Sequence, residues 1–310
     1  MFLPQTAHRP LDGLKVLDFT HALAGPYCTM LMAAYGAEVY KIEGVDSGDM
    51  GRTWGPPFQG GEASFFLGLN SGKKAISIDL KDSRGREICQ RLVQSADILI
   101  ENFRPGAMDR LDLGYQQAQA LNPSLVYCSI SGYGQTGPSR DAAALALILH
   151  AACGLISTTG TPSGEVARCG HSVADISAGM LALVGILLAL RVREQTGKGQ
   201  YVDISMLDSM ISTMASSFAF CLGSGTDPKP MGTAFATIVP YACFPARDGQ
   251  IALAAASERL WKAFGEATGR PDLVEDARFA TNSLRVRNRG ILEPLVCEIL
   301  SSGTVEEWCE

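Results

Sequence analysis

No lysine- or arginine-rich tract offsets the net charge of −6 on this 310-residue chain, which argues against a nucleic-acid surface. An anionic ligand would have to be held by a few local cations, not by a global field. The nine cysteines are scattered and odd in number, with no Cys-x-x-Cys pair. Free thiols in a reducing cytosol are expected, and a zinc site is not. Met1 to Pro10 has no apolar h-region of a signal peptide. The longest apolar run falls short of the roughly 18–20 residues that span a bilayer. A cytoplasmic protein without membrane contact is therefore expected. Neither a Gly-x-Ser-x-Gly elbow nor a Walker loop occurs, so hydrolase and P-loop readings find no support. What remains is ordinary globular composition, 46% apolar and 19% charged, with enough length for two domains.

The first two hundred residues alternate strand-like and helix-like patterns. Strand-like runs occur at Leu14 to Phe19, Ala37 to Glu43, Ala75 to Leu80, Asp97 to Glu101, Leu125 to Ser131 and Tyr201 to Ser205. Helical spacing occupies Pro26 to Tyr35, Ser83 to Ser95 and about Asp175 to Glu194. This alternation predicts an α/β fold, a Rossmann-like parallel sheet with covering helices. After about residue 222 the character changes. A breaker-rich loop, Gly223 to Pro230, precedes a hairpin around Arg247-Asp-Gly249, and helical patterns run from Ser257 onward. The expected domains are therefore 1–222, large and Rossmann-like, and 223–310, small and α+β. Val305 to Glu310 stops within an amphipathic helix, so the chain reads as cut short.

Asp175 stands at the head of Ile176 to Leu190, a run without charge. A carboxylate at the start of a buried helix is either a cap or a reagent. His171 lies four residues earlier and could share a helix face with it, but a metal would need further ligands, and His8, His21 and His150 lie in unrelated contexts. Gly132-x-Gly134-x-x-Gly137 fits a dinucleotide fingerprint, yet Pro138 follows at once and no acidic residue comes at about 20 positions, so a surface turn is the better reading. Glu101-Asn-Phe-Arg-Pro-Gly106 follows a strand, where Asn102 and Arg104 could hold an anion, although Pro-Gly is equally a plain turn. Lys73, Lys74 and Lys81 flank another strand and read as solvated charge.

Taken in order, Leu11-Asp-Gly-Leu-Lys-Val-Leu-Asp-Phe19, Ala24-Gly-Pro26, Gly36-Ala-Glu-Val-Tyr-Lys-Ile-Glu43, Ser47-Gly-Asp-Met50, Asn70-Ser-Gly-Lys-Lys74, Asp79-Leu-Lys81, Glu101 to Gly106, Ser131 to Pro138, Asp175-x-x-Ala-Gly179, Arg193 to Gln200 and Val202-Asp-Ile-Ser-Met206 resemble the class III coenzyme A transferases, the family of formyl-CoA transferase and carnitine CoA-transferase. Pro240-Tyr and Asp248-Gly249 carry the likeness into the second domain. The resemblance implies the family III fold, here lacking its C-terminal return, and a homodimer of interlocked rings. It implies an enzyme whose substrates are an acyl-CoA and a small carboxylic acid, with no tightly bound cofactor. It implies that Asp175 is the nucleophile and carries CoA as an aspartyl thioester. By position, Ala22, Leu23 and Ala24 match the loop along the thioester. Ile78 to Lys81, Asn102, Phe103 and Arg110 match contacts to the nucleotide and pantetheine. Glycine loops at Gly223-Ser-Gly225 or Gly232 are candidates for a lid.

The chain departs from formyl-CoA transferase at three places. Gly44 stands where that enzyme has a basic residue, Leu23 where it has Gln, and small apolar residues around Ala143 where it has Lys; specificity for formate and oxalate is not implied. The same fold serves α-methylacyl-CoA racemases, which need a His-Asp pair where this chain reads Ala142 to Leu147. His150 falls too late for that pair, so a two-base mechanism lacks one base. A racemase-like enzyme, a catalytically silent CoA-binding protein and a non-CoA α/β protein with a capping Asp175 are the alternatives.

Overall fold

The computed structural model describes residues 9–46 and 48–310. It divides into two compact units. One comprises the residues up to 155 together with 168–227, and the other comprises 156–167 and 228–310. The boundary expected at 222/223 falls inside a helix, Ala215–Ser224. The division follows at Asp227, and the short excursion 156–167 belongs with the second unit. Nothing in the composition of 156–167 sets it apart from its flanks.

The first unit is built on six parallel strands: β1 (Lys15–Asp18), β2 (Glu38–Glu43), β3 (Lys74–Ser77), β4 (Ile98–Glu101), β5 (Val126–Ser131) and β6 (Tyr201–Ser205), in the spatial order 3-2-1-4-5-6. Every pairing is parallel. Among the interior strands, β4 reads Ile98-Leu-Ile-Glu101, and β1 and β5 send apolar residues to both faces, because both faces are covered. On one face α1 (Ala24–Ala34) and α5 (Val173–Thr196) pack over Val16, Val39, Ile98, Ile100, Val126 and Cys128. On the other, α2 (Ser83–Ser95) and α3 (Tyr115–Leu121) cover Leu17, Ile42, Leu99 and Tyr127. The connection from β5 to β6 also contains α4 (Ala146–Ala152), and β6 is followed by α6 (Met206–Thr213) and α7 (Ala215–Ser224).

By length and composition α5, at 24 residues, is apolar enough to cross a membrane, which counting uncharged residues alone had not shown. Its small residues Ala178, Gly179, Ala182 and Ala189 are buried in the unit. A Cβ at Gly179 would come within 2.5 Å of the Ala24 carbonyl oxygen, and one at Gly185 within 2.7 Å of the Val202 side chain. Glycine at these two positions is what lets α5 lie tightly on α1 and on β6. The helix starts two residues earlier than expected, with Ser172 as its N-cap. His171 is therefore outside it, and the shared helix face with Asp175 does not form. The glycines after β5 open no helix: Gly134 and Gly137 sit at positive φ in a turn before Pro138, as the turn reading required.

In the second unit β7 (Tyr241–Pro245) and β8 (Gln250–Ala254) form the expected antiparallel hairpin. Helices from Glu258 onward enclose Trp261, Phe264, Phe279, Leu292 and Val296. The buried Arg285 guanidinium donates to the Val239 and Phe279 carbonyls at 2.8 and 3.0 Å and pairs with Glu258 at 2.8 Å. The last helix, Val305–Cys309, begins with a capping box between Thr304 and Glu307.

Candidate active site

In a sheet of order 3-2-1-4-5-6 the strand order reverses between β1 and β4, and in such sheets ligands bind beyond the carboxyl ends of the strands at that point. The loop leaving β1 and the loop leaving β4 are tied together at this point. The His21 amide donates to Asn102 Oδ1 at 2.8 Å, and Asn102 Nδ2 returns a bond to the His21 carbonyl at 2.9 Å. The Phe103 ring meets the His21 ring edge-on, with centroids 5.3 Å apart. Asn102 and Phe103, expected along the nucleotide and pantetheine, are thus tied through His21 to the loop that carries Ala22, Leu23 and Ala24, expected along the thioester.

Ala22 adopts a left-handed φ of 65°, unusual for a residue with a Cβ and costly by about 1–2 kcal/mol. A buried polar network holds it there. The Ala22 N–H donates to Asp49 Oδ1 at 3.0 Å, and Asp49 Oδ2 lies 2.8 Å from Lys41 Nζ, which also donates to the Thr20 carbonyl at 2.7 Å. Lys41 and Asp49 are 1% and 0% exposed, so neither charge would persist without the other. Alongside, Asp18 accepts from the Thr20 and Thr29 hydroxyls and pairs with Lys73 at 3.1 Å. Burial alone would push the Asp18 carboxyl up. Lys73, Lys41 and the two hydroxyls outweigh it and hold the group well below the usual carboxylate range. Lys73, read from sequence as solvated charge, is in fact 2% exposed; its partner lies 55 residues away, beyond the reach of local pattern.

Asp175 occupies the first turn of α5 but is not its N-cap; that position belongs to Ser172, whose hydroxyl caps nothing. The carboxylate is partly buried. Burial raises its pKa and its own backbone N–H lowers it, leaving it at about 6. No cation pairs with it among the described residues. Gly179, one turn further along the same face, lies against the Ala24 carbonyl, so the helix that carries Asp175 starts beside the β1–α1 loop. Neighbouring support comes from α4. The fully buried His150 accepts the Ala174 N–H on Nε2 at 3.3 Å. Sequence reading had set His150 aside as out of register; only the packing of α4 on α5 brings it here.

The remaining expected contacts lie along the same carboxyl edge of the sheet. Ile78 is buried in the core beneath α2 and its N–H bonds the Glu43 carbonyl at 2.8 Å, so its side chain packs inward. Lys81, Arg104 and Arg110 are exposed. Around Gly106, at φ +75°, a Cβ would stand 3.5 Å from Arg110 Nη1 and 3.8 Å from Arg140 Nη2. Two guanidinium groups thus converge, and the Arg140 Nε is buried without a hydrogen-bond partner among the described residues. Asp141 Oδ1 stands 4.0 Å from the Arg140 Nε, and Arg110 enters no ion pair among the described residues, so the two guanidinium groups could still take a phosphate or other anion. Arg140 was not singled out from sequence, since an isolated arginine in a loop carries no local signal. Gly225 closes α7 as its left-handed C-cap, and the Gly232 N–H bonds the Gly160 carbonyl at 2.8 Å. Among the described residues no cluster of three metal-ligating side chains forms.

A doubly wound sheet with a partly buried carboxylate on the helix that packs beside a switch-point loop, and arginines along the same edge, defines an α/β protein with a candidate site for an anionic ligand. The chain is matched over residues 11–310 by the model of CoA-transferase family III, and it belongs to that family. Succinyl-CoA:glutarate CoA-transferase of Homo sapiens is 36% identical over 300 residues, covering 97% of this chain and 68% of that protein. Acetyl-CoA:oxalate CoA-transferase of Acetobacter aceti is 36% identical over 308 residues, covering 99% and 79%. A CaiB/BaiF family protein from Brucella suis has a similar crystal structure, with 39% identity, a TM-score of 0.83 and coverage of 94% of this chain and 78% of that one. The chain is thus a CoA-transferase, a class whose substrates are CoA thioesters.

Proposed function

We propose that the protein moves CoA from a short acyl-CoA donor to a carboxylic acid acceptor, with Asp175 as the covalent carrier. The observation that carries the reading is the Asp175 carboxylate itself, partly buried, without a cationic partner among the described residues, and set beside the β1–α1 loop. The carboxylate attacks the thioester carbonyl, releasing CoA thiolate and leaving a mixed anhydride. The thiolate attacks the aspartyl carbonyl, which frees the donor acid and leaves an aspartyl-CoA thioester. The acceptor carboxylate displaces CoA thiolate to give a second anhydride, and the thiolate then takes the acceptor's acyl group and restores Asp175. Each step exchanges one activated acyl bond for another of similar energy, so no external energy source is needed. Exclusion of water protects both intermediates from hydrolysis.

Lys81, Arg104 and Arg110 supply the local cations that CoA phosphates require on a chain of net charge −6, with Asn102 and Phe103 along the pantetheine. The relatives' names support a dicarboxylic acceptor, since glutarate and oxalate both carry two carboxyl functions. Incubation with acyl-CoA and hydroxylamine should mark Asp175 as a hydroxamate, and Asp175→Ala should abolish exchange. Exchange that survives Asp175→Ala sinks the mechanism. A panel of donors against succinate, glutarate, oxalate and monocarboxylic acids then reads the acceptor class. A preference for monocarboxylates would remove the dicarboxylate assignment alone. Exchange of the α-proton without acyl exchange would point to racemase chemistry.

A further inference from the structure

An α-helix begins with N–H groups that have no partner within the helix. In α5 the expected side-chain cap is missing, because Ser172 sits at the N-cap without bonding the turn. The Val173 N–H reaches back to the His171 carbonyl at 3.0 Å. The Asp175 N–H favours the charged form of its own carboxylate. The Ala174 N–H is taken by a residue 24 positions away in sequence, through His150 Nε2 on α4. The turn that presents Asp175 is therefore capped by an imidazole from a different helix.

This arrangement matters because the other local acceptor is the proposed nucleophile. When Asp175 becomes an anhydride or a thioester its negative charge is gone, and its attraction for its own amide weakens with it. A cap supplied by Asp175 would fail in the middle of the reaction. One supplied by His150 does not change as Asp175 is acylated and released. The role needs a neutral ring, since only an unprotonated Nε2 accepts. Burial and the nearby Arg168 both hold the imidazole to its neutral form. The proton then resides on Nδ1, which is buried and has no hydrogen-bond partner among the described residues. An unmet buried donor costs about 1–3 kcal/mol, a cost that makes little sense for a residue that merely fills space.

We propose that His150 is a positioning residue for Asp175: it holds the first turn of α5, and with it the reacting carboxylate, by accepting the Ala174 N–H throughout the reaction. This rests on the reading of Asp175 as nucleophile. It assigns His150 no contact with substrate and no proton transfer.

The test compares three variants of the full chain. His150→Gln offers an amide oxygen near Nε2, His150→Asn is one methylene too short to reach, and His150→Leu offers no acceptor. CoA exchange should lose roughly tenfold or more in kcat in the Asn and Leu variants, as expected when a reacting group is misplaced, with KM for acyl-CoA unchanged. The Gln variant should stay within about threefold of the wild type, the scale of one imperfect hydrogen bond. Single-turnover formation of the aspartyl hydroxamate should slow in parallel. Independently, the 15N spectrum of His150 should show the neutral tautomer with hydrogen on Nδ1. An Nε2-protonated ring overturns the proposal. So does an Asn variant as active as Gln, a comparison that decides the matter even where the Leu variant fails to fold. So does a loss confined to KM. Should Asp175→Ala retain exchange, the nucleophile reading falls and this role with it. Should Asp175→Ala be inactive while the Asn and Leu variants keep wild-type kcat, only the role of His150 falls.

Discussion

Asp175 occupies an environment that disfavours its own charge, and that has two measurable consequences. A nucleophilic carboxylate must be ionised, so exchange should fall as acid protonates it. The acid limb of kcat/KM is expected to have its midpoint near the folded-state value of about 6, well above the ordinary carboxyl value near 4. A limb centred near 4 would mean that the group is solvated or is not the one titrating. The same shift acts on stability with the opposite sense to a salt bridge. A raised carboxyl pKa means the folded state binds the proton more tightly than the unfolded one. Stability is therefore unaffected below the unfolded value and is progressively lost as pH rises through the window from about 4 to 6. Asp175→Asn removes the penalty. At pH 7.5 it should raise stability by roughly 2–3 kcal/mol, the free-energy equivalent of two pKa units, while abolishing exchange. At pH 4 the stability gain should vanish. Denaturant unfolding at the two pH values measures the difference, and equal gains at both would assign the effect to something other than ionisation.

At the scale of elements, the sheet was legible in the sequence and the polar scaffold of the site was not. Each of the six parallel strands falls within a residue or so of an apolar run bounded by turn signals at its start, although the Ala75 to Leu80 run ends three residues early as a strand, at Ser77. Strands buried on both faces leave that signature without help from tertiary structure. The Lys41–Asp49 and Lys73–Asp18 pairs left only charged residues in or beside apolar segments, since the spacing that makes them partners is set by loop geometry. Their energetic weight is large. Lys41→Met strands Asp49 in the interior and removes the bond to the Thr20 carbonyl. A loss of about 3–5 kcal/mol is expected, and the β1–α1 loop should loosen, so KM for acyl-CoA should rise as well. The double variant Lys41→Met, Asp49→Leu should recover part of the stability but not the loop, because the Ala22 N–H stays unpaired. Additive losses in this double-mutant cycle would show that the two groups are not coupled. The α1–α5 contact offers a second test. Gly179→Ala places a methyl 2.5 Å from the Ala24 carbonyl oxygen and should cost about 1–3 kcal/mol through overpacking. Thermal unfolding that leaves Tm unchanged would mean the contact is looser than the structure has it.

For the molecule as a whole, the two units each enclose their own core, and the sequence pointed to both through the switch from βα alternation to hairpin and helices. Residues 156–167 crossed that boundary unseen because a twelve-residue excursion has no periodicity of its own. The more telling whole-molecule feature is what the first unit leaves outside. Along α5, Met180, Val184, Leu187 and Leu188 are 51%, 49%, 42% and 63% exposed. Their spacing of three and four residues puts them on one face, opposite the buried small residues that grip α1. An exposed apolar row on a central helix is the kind of surface that a protein partner covers. The expected cover is a second copy of this chain, in keeping with the family resemblance. The wild type should then sediment at twice its 33.0 kDa mass at micromolar concentration. Val184→Glu combined with Leu188→Lys places two charges in the row, where burial without partners costs several kcal/mol. That variant should sediment as a monomer while keeping its far-ultraviolet circular dichroism, since neither side chain belongs to the unit's own core. A wild type that sediments at 33.0 kDa, or a charged variant that still pairs, would take this face out of the interface.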